Sequence, residues 1–187
     1  GFANNIVYRN KAKINDDIYV SGNLGDSYLG LLVLKNKLKL NHRLTKYFTN
    51  QYFMPNIQFK LSEQIKKFAN TSIDISDGLL ADLDKMINNQ KLSYKLFLKD
   101  IPISNNLKKV LDFKKLPKIN YVSNGDDYQV LFTASNNKMG IIKKIASNYR
   151  VKITKIGSIQ SHVKKSSIID GKNVQISLKN KGYFHKF

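Results

Sequence analysis

Two short stretches concentrate the oxygen ligands of this sequence. In the first, Asp74-Ile75-Ser76-Asp77-Gly78, two carboxylates and a hydroxyl fall within four residues, with Asp82 and Asp84 close behind. In an extended strand Asp74 and Ser76 share a face. An amphipathic stretch starts directly after Gly78, so Asp77 stands at the mouth of a helix whose first N–H groups lack intrahelical partners. Such a corner suits a magnesium-bound polyphosphate: magnesium takes hard oxygen ligands, usually one or two carboxylates plus phosphates and waters, and a helix N-terminus favours phosphate charge. The plainer reading of the same residues makes Asp77 an N-cap, Gly78 a turn glycine and Asp74 a solvated carboxylate. The second stretch is Ser123-Asn124-Gly125-Asp126-Asp127-Tyr128. Asn-Gly between extended segments is a strong hairpin signal, which would leave two exposed aspartates at a turn. The alternative is a polar turn at a strand end that presents carboxylates into a cleft, to a cationic substrate or a metal.

The elements that must position these residues are legible from periodicity. Asp17 to Ser21 alternates and reads as a strand; Asp26 to Leu40 carries a helical stripe, with Asp26 or Ser27 as its cap. Helices are predicted at about His42–Tyr52 and Ser62–Phe68, with a loop at Pro55. Thr71–Ile75 is a strand that runs through the first acidic stretch into a helix, whose residues Leu79, Leu80, Leu83, Met86 and Ile87 line one face. Further strands are predicted at Tyr94–Leu98, Tyr128–Ala134, Val151–Ile156 and Ser167–Ile169, and helices at Asn105–Asp112 and Lys138–Tyr149. Strands and helices alternate throughout, so the expected class is α+β, a mixed β-sheet with helices on its faces, in one domain over residues 1–187.

Composition narrows the chemistry. The 187 residues contain no cysteine, which removes disulfides, thiolate nucleophiles and zinc ribbons, and the three histidines, His42, His162 and His185, are scattered. The longest apolar run, Leu29–Leu34, is broken by Gly30 and is far shorter than a membrane span, and Gly1–Asn10 lack the apolar core of a secretory signal; the expected compartment is the cytoplasm. Thirty-two Lys plus Arg against thirteen Asp plus Glu give a net charge of +19. Only Arg9, Arg43 and Arg150 are arginines, against the pattern of nucleic-acid readers, so a lysine-rich solvated surface is the favoured reading of the charge. Twelve of the thirteen acids are aspartates, a residue that prefers turns, caps and ion sites to helix surfaces.

Three segments in order resemble thiamine-monophosphate kinases: Ile73-Asp74-Ile75-Ser76-Asp77-Gly78-Leu79-Leu80-Ala81-Asp82-Leu83, then Asn124-Gly125-Asp126-Asp127-Tyr128 with Leu131-Phe132-Thr133, then Gly182-Tyr183-Phe184-His185. Asp17-Ile18-Tyr19-Val20-Ser21-Gly22 and Leu24-Gly25-Asp26-Ser27 resemble the start of that family's second domain. The family is part of the wider superfamily of aminoimidazole-ribonucleotide synthetase-like ATP enzymes. Two departures stand out. Tyr52-Phe53-Met54-Pro55-Asn56-Ile57-Gln58 lacks a second proline and an arginine found in the family, and Asn124 stands where members tend to carry glycine.

The resemblance implies an enzyme that uses ATP and Mg2+ to phosphorylate thiamine monophosphate to thiamine diphosphate by direct in-line transfer. Carried over by position, Asp74 and Asp77 are implied as metal ligands, Ser76 as an ATP contact, and Asp126 and Tyr183 as substrate contacts. It also implies an N-terminal domain with further aspartates and a homodimer interface, with no counterpart before Gly1. The expectation is therefore a C-terminal domain that supplies half a site, with no catalytic residue assignable to it and no activity alone. The alternatives are another ATP-using member of the superfamily, acting in selenophosphate or purine-precursor synthesis, and a basic nucleic-acid-binding module with steep salt dependence.

Overall fold

In the computed structural model, which describes residues 6–172 and 174–176, six strands and seven α-helices follow one another along the chain. They are β1 (Asp17–Ser21), α1 (Asp26–Leu34), α2 (His42–Phe53), α3 (Phe59–Gln64), β2 (Thr71–Asp74), α4 (Leu79–Met86), β3 (Leu92–Phe97), α5 (Asn105–Lys114), α6 (Ile119–Val122), β4 (Val130–Ala134), α7 (Met139–Tyr149), β5 (Ile153–Ser161) and β6 (Ser167–Ile169). The strands form one mixed sheet in the order β2-β4-β1-β5-β3-β6, antiparallel except for the β3–β6 pair. This is the α+β arrangement that periodicity predicts. No helix among the described residues is long and apolar enough to cross a membrane.

Every residue of β1 is buried because the strand runs through the middle of the sheet with layers on both faces. Its period of two sends Ile18 and Val20 to one face, where they meet Leu79, Leu83 and Met86 of α4, and Tyr19 to the other, among Leu61 of α3 and Ile142 and Ile145 of α7. Tyr19 lies opposite Phe132 in the β1–β4 register, and their rings stack at 5.2 Å. A third cluster joins α1, α2, α5 and α6 through Leu29, Phe48, Leu107 and Tyr121. Fully burying each such side chain contributes about 1.5–3 kcal/mol.

Several expected boundaries move. The helix expected to reach Leu40 stops at Leu34, and Asn36 takes a left-handed φ of 53°. Its N-cap is Gly25; neither Asp26 nor Ser27 caps it, both being buried within the first turn. The helix expected from Ser62 starts at Phe59, and α6 is not expected from periodicity because four residues are too few to show a period.

Candidate functional site

The first acidic stretch forms the expected strand, turn and helix, but its turn is closed by a residue of the helix. Asp82, fully buried in α4, reaches back so that Oδ2 accepts the backbone N–H groups of Ser76 (2.9 Å), Asp77 (2.9 Å) and Gly78 (3.0 Å). Its Oδ1 accepts from Lys85 Nζ at 2.9 Å, and Lys85 also pairs with Asp77. These turn N–H groups, expected from sequence to be open to a phosphate, are held by the protein's own carboxylate. Burial pulls the Lys85 pKa down, but Asp77 and Asp82 outweigh it and the net shift is upward. Asp77 does not act as the N-cap; Gly78 occupies that position.

The second stretch is not a hairpin turn. It leaves α6 and runs antiparallel beside the first, extending the β2–β4 ladder: Ile75 N–H donates to Gln129 O (2.9 Å), Tyr128 N–H to Ile75 O (2.9 Å) and Asp126 N–H to Ser76 O (3.0 Å). The two backbones touch where side chains are absent. A Cβ on Gly125 would lie 1.9 Å from Ser76 O, and one on Gly78, whose φ is +129°, would lie 2.1 Å from Ser123 O.

Left-handed φ angles at Asp126 (67°) and Tyr128 (50°) turn alternate side chains to different environments. Asp127 points inward and is buried; its Oδ2 accepts the Gly25 N–H at 2.8 Å. Burial drives its pKa well above the ordinary carboxylate value; the Gly25 N–H opposes the shift and the charge of Asp26 adds to it. Asp26 is raised as well, chiefly by burial, although it accepts Ser104 Oγ–H (2.7 Å) and Tyr47 O–H (2.8 Å). Only one of the two aspartates expected at an exposed turn is therefore accessible.

Asp126 opens into a cleft of about 590 Å³ that Ser76 and Asp77 also line. Lys35, just beyond α1, supplies an ammonium group, and Tyr28, Tyr52 and Tyr128 supply rings. The Asp126 pKa is raised by burial and by the Asp77 charge, against the opposing charge of Lys35. Two carboxylates and three aromatic faces can hold a planar cation, and the carboxylate and hydroxyl oxygens can meet a hard divalent ion.

Of the residues singled out in the sequence, the structure brings Ser76, Asp77 and Asp126 together. Asp74 lies exposed at the end of β2 and is not among the residues lining the cleft. Tyr183 lies outside the described residues. Tyr28 and Lys35 at the site, and Asp82 closing the turn, are not evident from local sequence. Tyr28, Leu31 and Lys35 are spaced i, i+3, i+7, a stripe that pointed to a shared face.

No family model matches this sequence. A thiamine-monophosphate kinase of Buchnera aphidicola subsp. Acyrthosiphon pisum is 34% identical over 181 residues, covering 96% of this chain and 55% of that protein. The thiamine-monophosphate kinase structure from Stenotrophomonas maltophilia K279a superposes with a TM-score of 0.76 at 26% identity, over 88% of this chain and 52% of that one. AaThiL complexed with AMPPCP and TMP superposes with a TM-score of 0.75 at 26% identity, over 95% of this chain and 54% of that one. Escherichia coli HypE, at 15% identity and a TM-score of 0.72 over 97% of this chain and 54% of its own, shares the fold.

The architecture is that of the aminoimidazole-ribonucleotide synthetase-like class. Within that class the chain is a homologue of thiamine-monophosphate kinases, aligned with them over nearly its whole length and spanning about half the length of the curated relatives it matches.

Proposed function

We propose that this chain supplies the C-terminal half of a thiamine-monophosphate kinase, and that the cleft between its two acidic loops receives thiamine monophosphate beside the ATP phosphates. The observation that carries the reading is the convergence of Ser76, Asp77 and Asp126 on one cleft with three tyrosines. Asp126 faces the thiazolium charge, the tyrosine rings stack on the heterocycles, and Ser76 donates to a phosphate oxygen. Tyr183 provides a further substrate contact. AMPPCP and TMP in a homologous structure support a nucleotide and a thiamine phosphate as the two ligands.

Of the two ligands that the resemblance implies, Asp77 is the hard oxygen donor that lines the cleft and already draws a cation in Lys85, whereas Asp74 lies outside the cleft lining, so Asp77 is the residue placed to hold a magnesium ion there. Among the described residues no group of three or more His, Cys, Asp or Glu side chains converges, so phosphate, water and the other half of the enzyme would complete the shell. Bound there, magnesium would neutralise charge on the phosphates as they approach each other. The chain's own residues hold the two substrates in line; rate comes from positioning and electrostatics, without a covalent intermediate. The whole enzyme is a cytoplasmic homodimer in this reading, and the isolated chain is inactive.

The test is an assay for thiamine diphosphate from ATP and thiamine monophosphate, with this chain alone and with it fused behind the N-terminal half of the Buchnera relative. Turnover is expected only from the fusion. Turnover by the 187 residues alone would overturn the half-site reading, and a folded fusion without turnover would overturn the substrate assignment.

A further inference from the structure

A second cavity, of about 440 Å³, shares no lining residue with the cleft. Lys99, Lys108, Lys118 and Lys152 line it, together with the carboxylates of Asp100 and Asp112. Lys118, immediately before α6, is half-buried, and its Nζ donates to Leu98 O (2.7 Å) and to Lys99 O (3.4 Å). An ammonium group has three donors, so these two carbonyls leave one N–H for another partner. Lys152 Nζ donates to Asn23 Oδ1 at 2.8 Å. Among the described residues the ion pairs join Lys85 to Asp77 and Asp82, and Lys155 to Asp17; neither Asp100 nor Asp112 pairs with a lysine of the cavity.

Burial pulls the Lys118 pKa down; Asp100 opposes the shift, the charges of Lys152 and Lys108 add to it, and the result is about 8. The charges of Lys108 and Lys152 act unfavourably on that of Lys118, and an anion placed among these groups relieves the repulsion. The volume lies within the roughly 300–1,000 Å³ typical of small-molecule sites, and Ile101, Pro102 and Leu116 give the wall an apolar part. A nucleic-acid strand is instead held along an extended groove by successive phosphate contacts. We propose that this cavity is a second anion site, separate from the cleft, which binds a small phosphorylated molecule through Lys108, Lys118 and Lys152.

Pyridoxal 5′-phosphate is a suitable probe because it carries a phosphate for the lysines and an aldehyde for an amine. The neutral Lys118 amine attacks the aldehyde carbon, a C–N bond forms, and the carbonyl oxygen leaves as water to give an imine. Added borohydride then delivers hydride to the imine carbon and fixes a secondary amine, which peptide mass spectrometry locates. At neutral pH and limiting probe, Lys118 should label about tenfold or more above the exposed lysines taken together, since a solvated lysine side chain holds far less free amine. Inorganic phosphate should suppress this labelling in the unmodified chain. Replacing Lys108 and Lys152 together with alanine should cut labelling by the phosphorylated probe about fivefold more than labelling by pyridoxal, which falls only as far as the Lys118 amine becomes more protonated without its two cationic neighbours. Labelling spread evenly over exposed lysines, equal loss with both aldehydes, or protection by a single-stranded oligonucleotide and not by inorganic phosphate would each overturn the proposal. The phosphate competition uses the unmodified chain and so decides the matter whether or not the double variant folds.

Discussion

Replacing Asp82 with alanine should loosen the first acidic loop, although Asp82 itself does not line the cleft. The carboxylate takes three backbone N–H groups at 2.9, 2.9 and 3.0 Å on one oxygen and Lys85 at 2.9 Å on the other, and it is fully buried. Hydrogen bonds to a charged acceptor contribute about 1.5–3 kcal/mol each in isolation. Here three share one oxygen, and removing the carboxylate also removes the cost of burying it, so the net loss for Asp82→Ala is about 3 kcal/mol. That is a large part of the roughly 5–15 kcal/mol that stabilises a domain. Asp82→Asn keeps one neutral acceptor but turns an amide donor toward Lys85, and should lose about half as much. Lys85→Met should cost under about 1 kcal/mol, because the ammonium is half-exposed and its ion pairs are screened. Urea denaturation gives the order, and amide hydrogen exchange gives the location: the Ser76, Asp77 and Gly78 amides should lose protection in Asp82→Ala. A loss below about 1 kcal/mol with those three amides still protected would refute the reasoning.

Asp126→Asn should weaken binding of thiamine monophosphate to the chain roughly tenfold, about 1.4 kcal/mol, by calorimetry, with stability little changed. Because burial and the Asp77 charge raise the Asp126 pKa, affinity for unphosphorylated thiamine should fall as pH drops through a value above the ordinary carboxylate range, and Asp126→Asn should abolish that dependence. Gly125→Ala places a Cβ 1.9 Å from Ser76 O and should cost about 3 kcal/mol or more, separating the loops; a loss under about 1 kcal/mol in thermal denaturation would contradict the close packing. Asp127 has a folded pKa above its unfolded value, so its contribution is fully present below the unfolded pKa of about 3.9 and is lost as pH rises through the folded pKa. Asp127→Asn should therefore gain stability relative to the unmodified chain from pH 4 to pH 8, and a difference that stays constant with pH would refute this.

Most of the sheet and the strand–turn–helix corner were legible because they depend on local signals. Asp17–Ser21 alternates, and Leu79 through Ile87 repeats at helical spacing, so both elements fall where periodicity puts them. The fate of individual acids was not legible. Asp126 and Asp127 are adjacent and chemically identical, yet one opens to a cleft and the other is buried against Gly25, because two left-handed residues flank Asp127. The Asn124-Gly125 pair looks like a hairpin turn, but its glycine serves a close approach to Ser76 that depends on a segment about fifty residues earlier. Asp82 read as one more acid of a cluster; only the tertiary turn shows it holding three N–H groups. Local propensity has no access to such long-range partners.

The central claim is that the two acidic loops form one substrate cleft, and a titration of the ¹⁵N-labelled chain with thiamine monophosphate tests it most directly. Saturable shifts are predicted at the amides of Ser76, Asp77, Asp126 and Tyr128, and they should weaken in Asp126→Asn. Saturable shifts confined to other parts of the chain, or none up to about 10 mM ligand, would contradict the account.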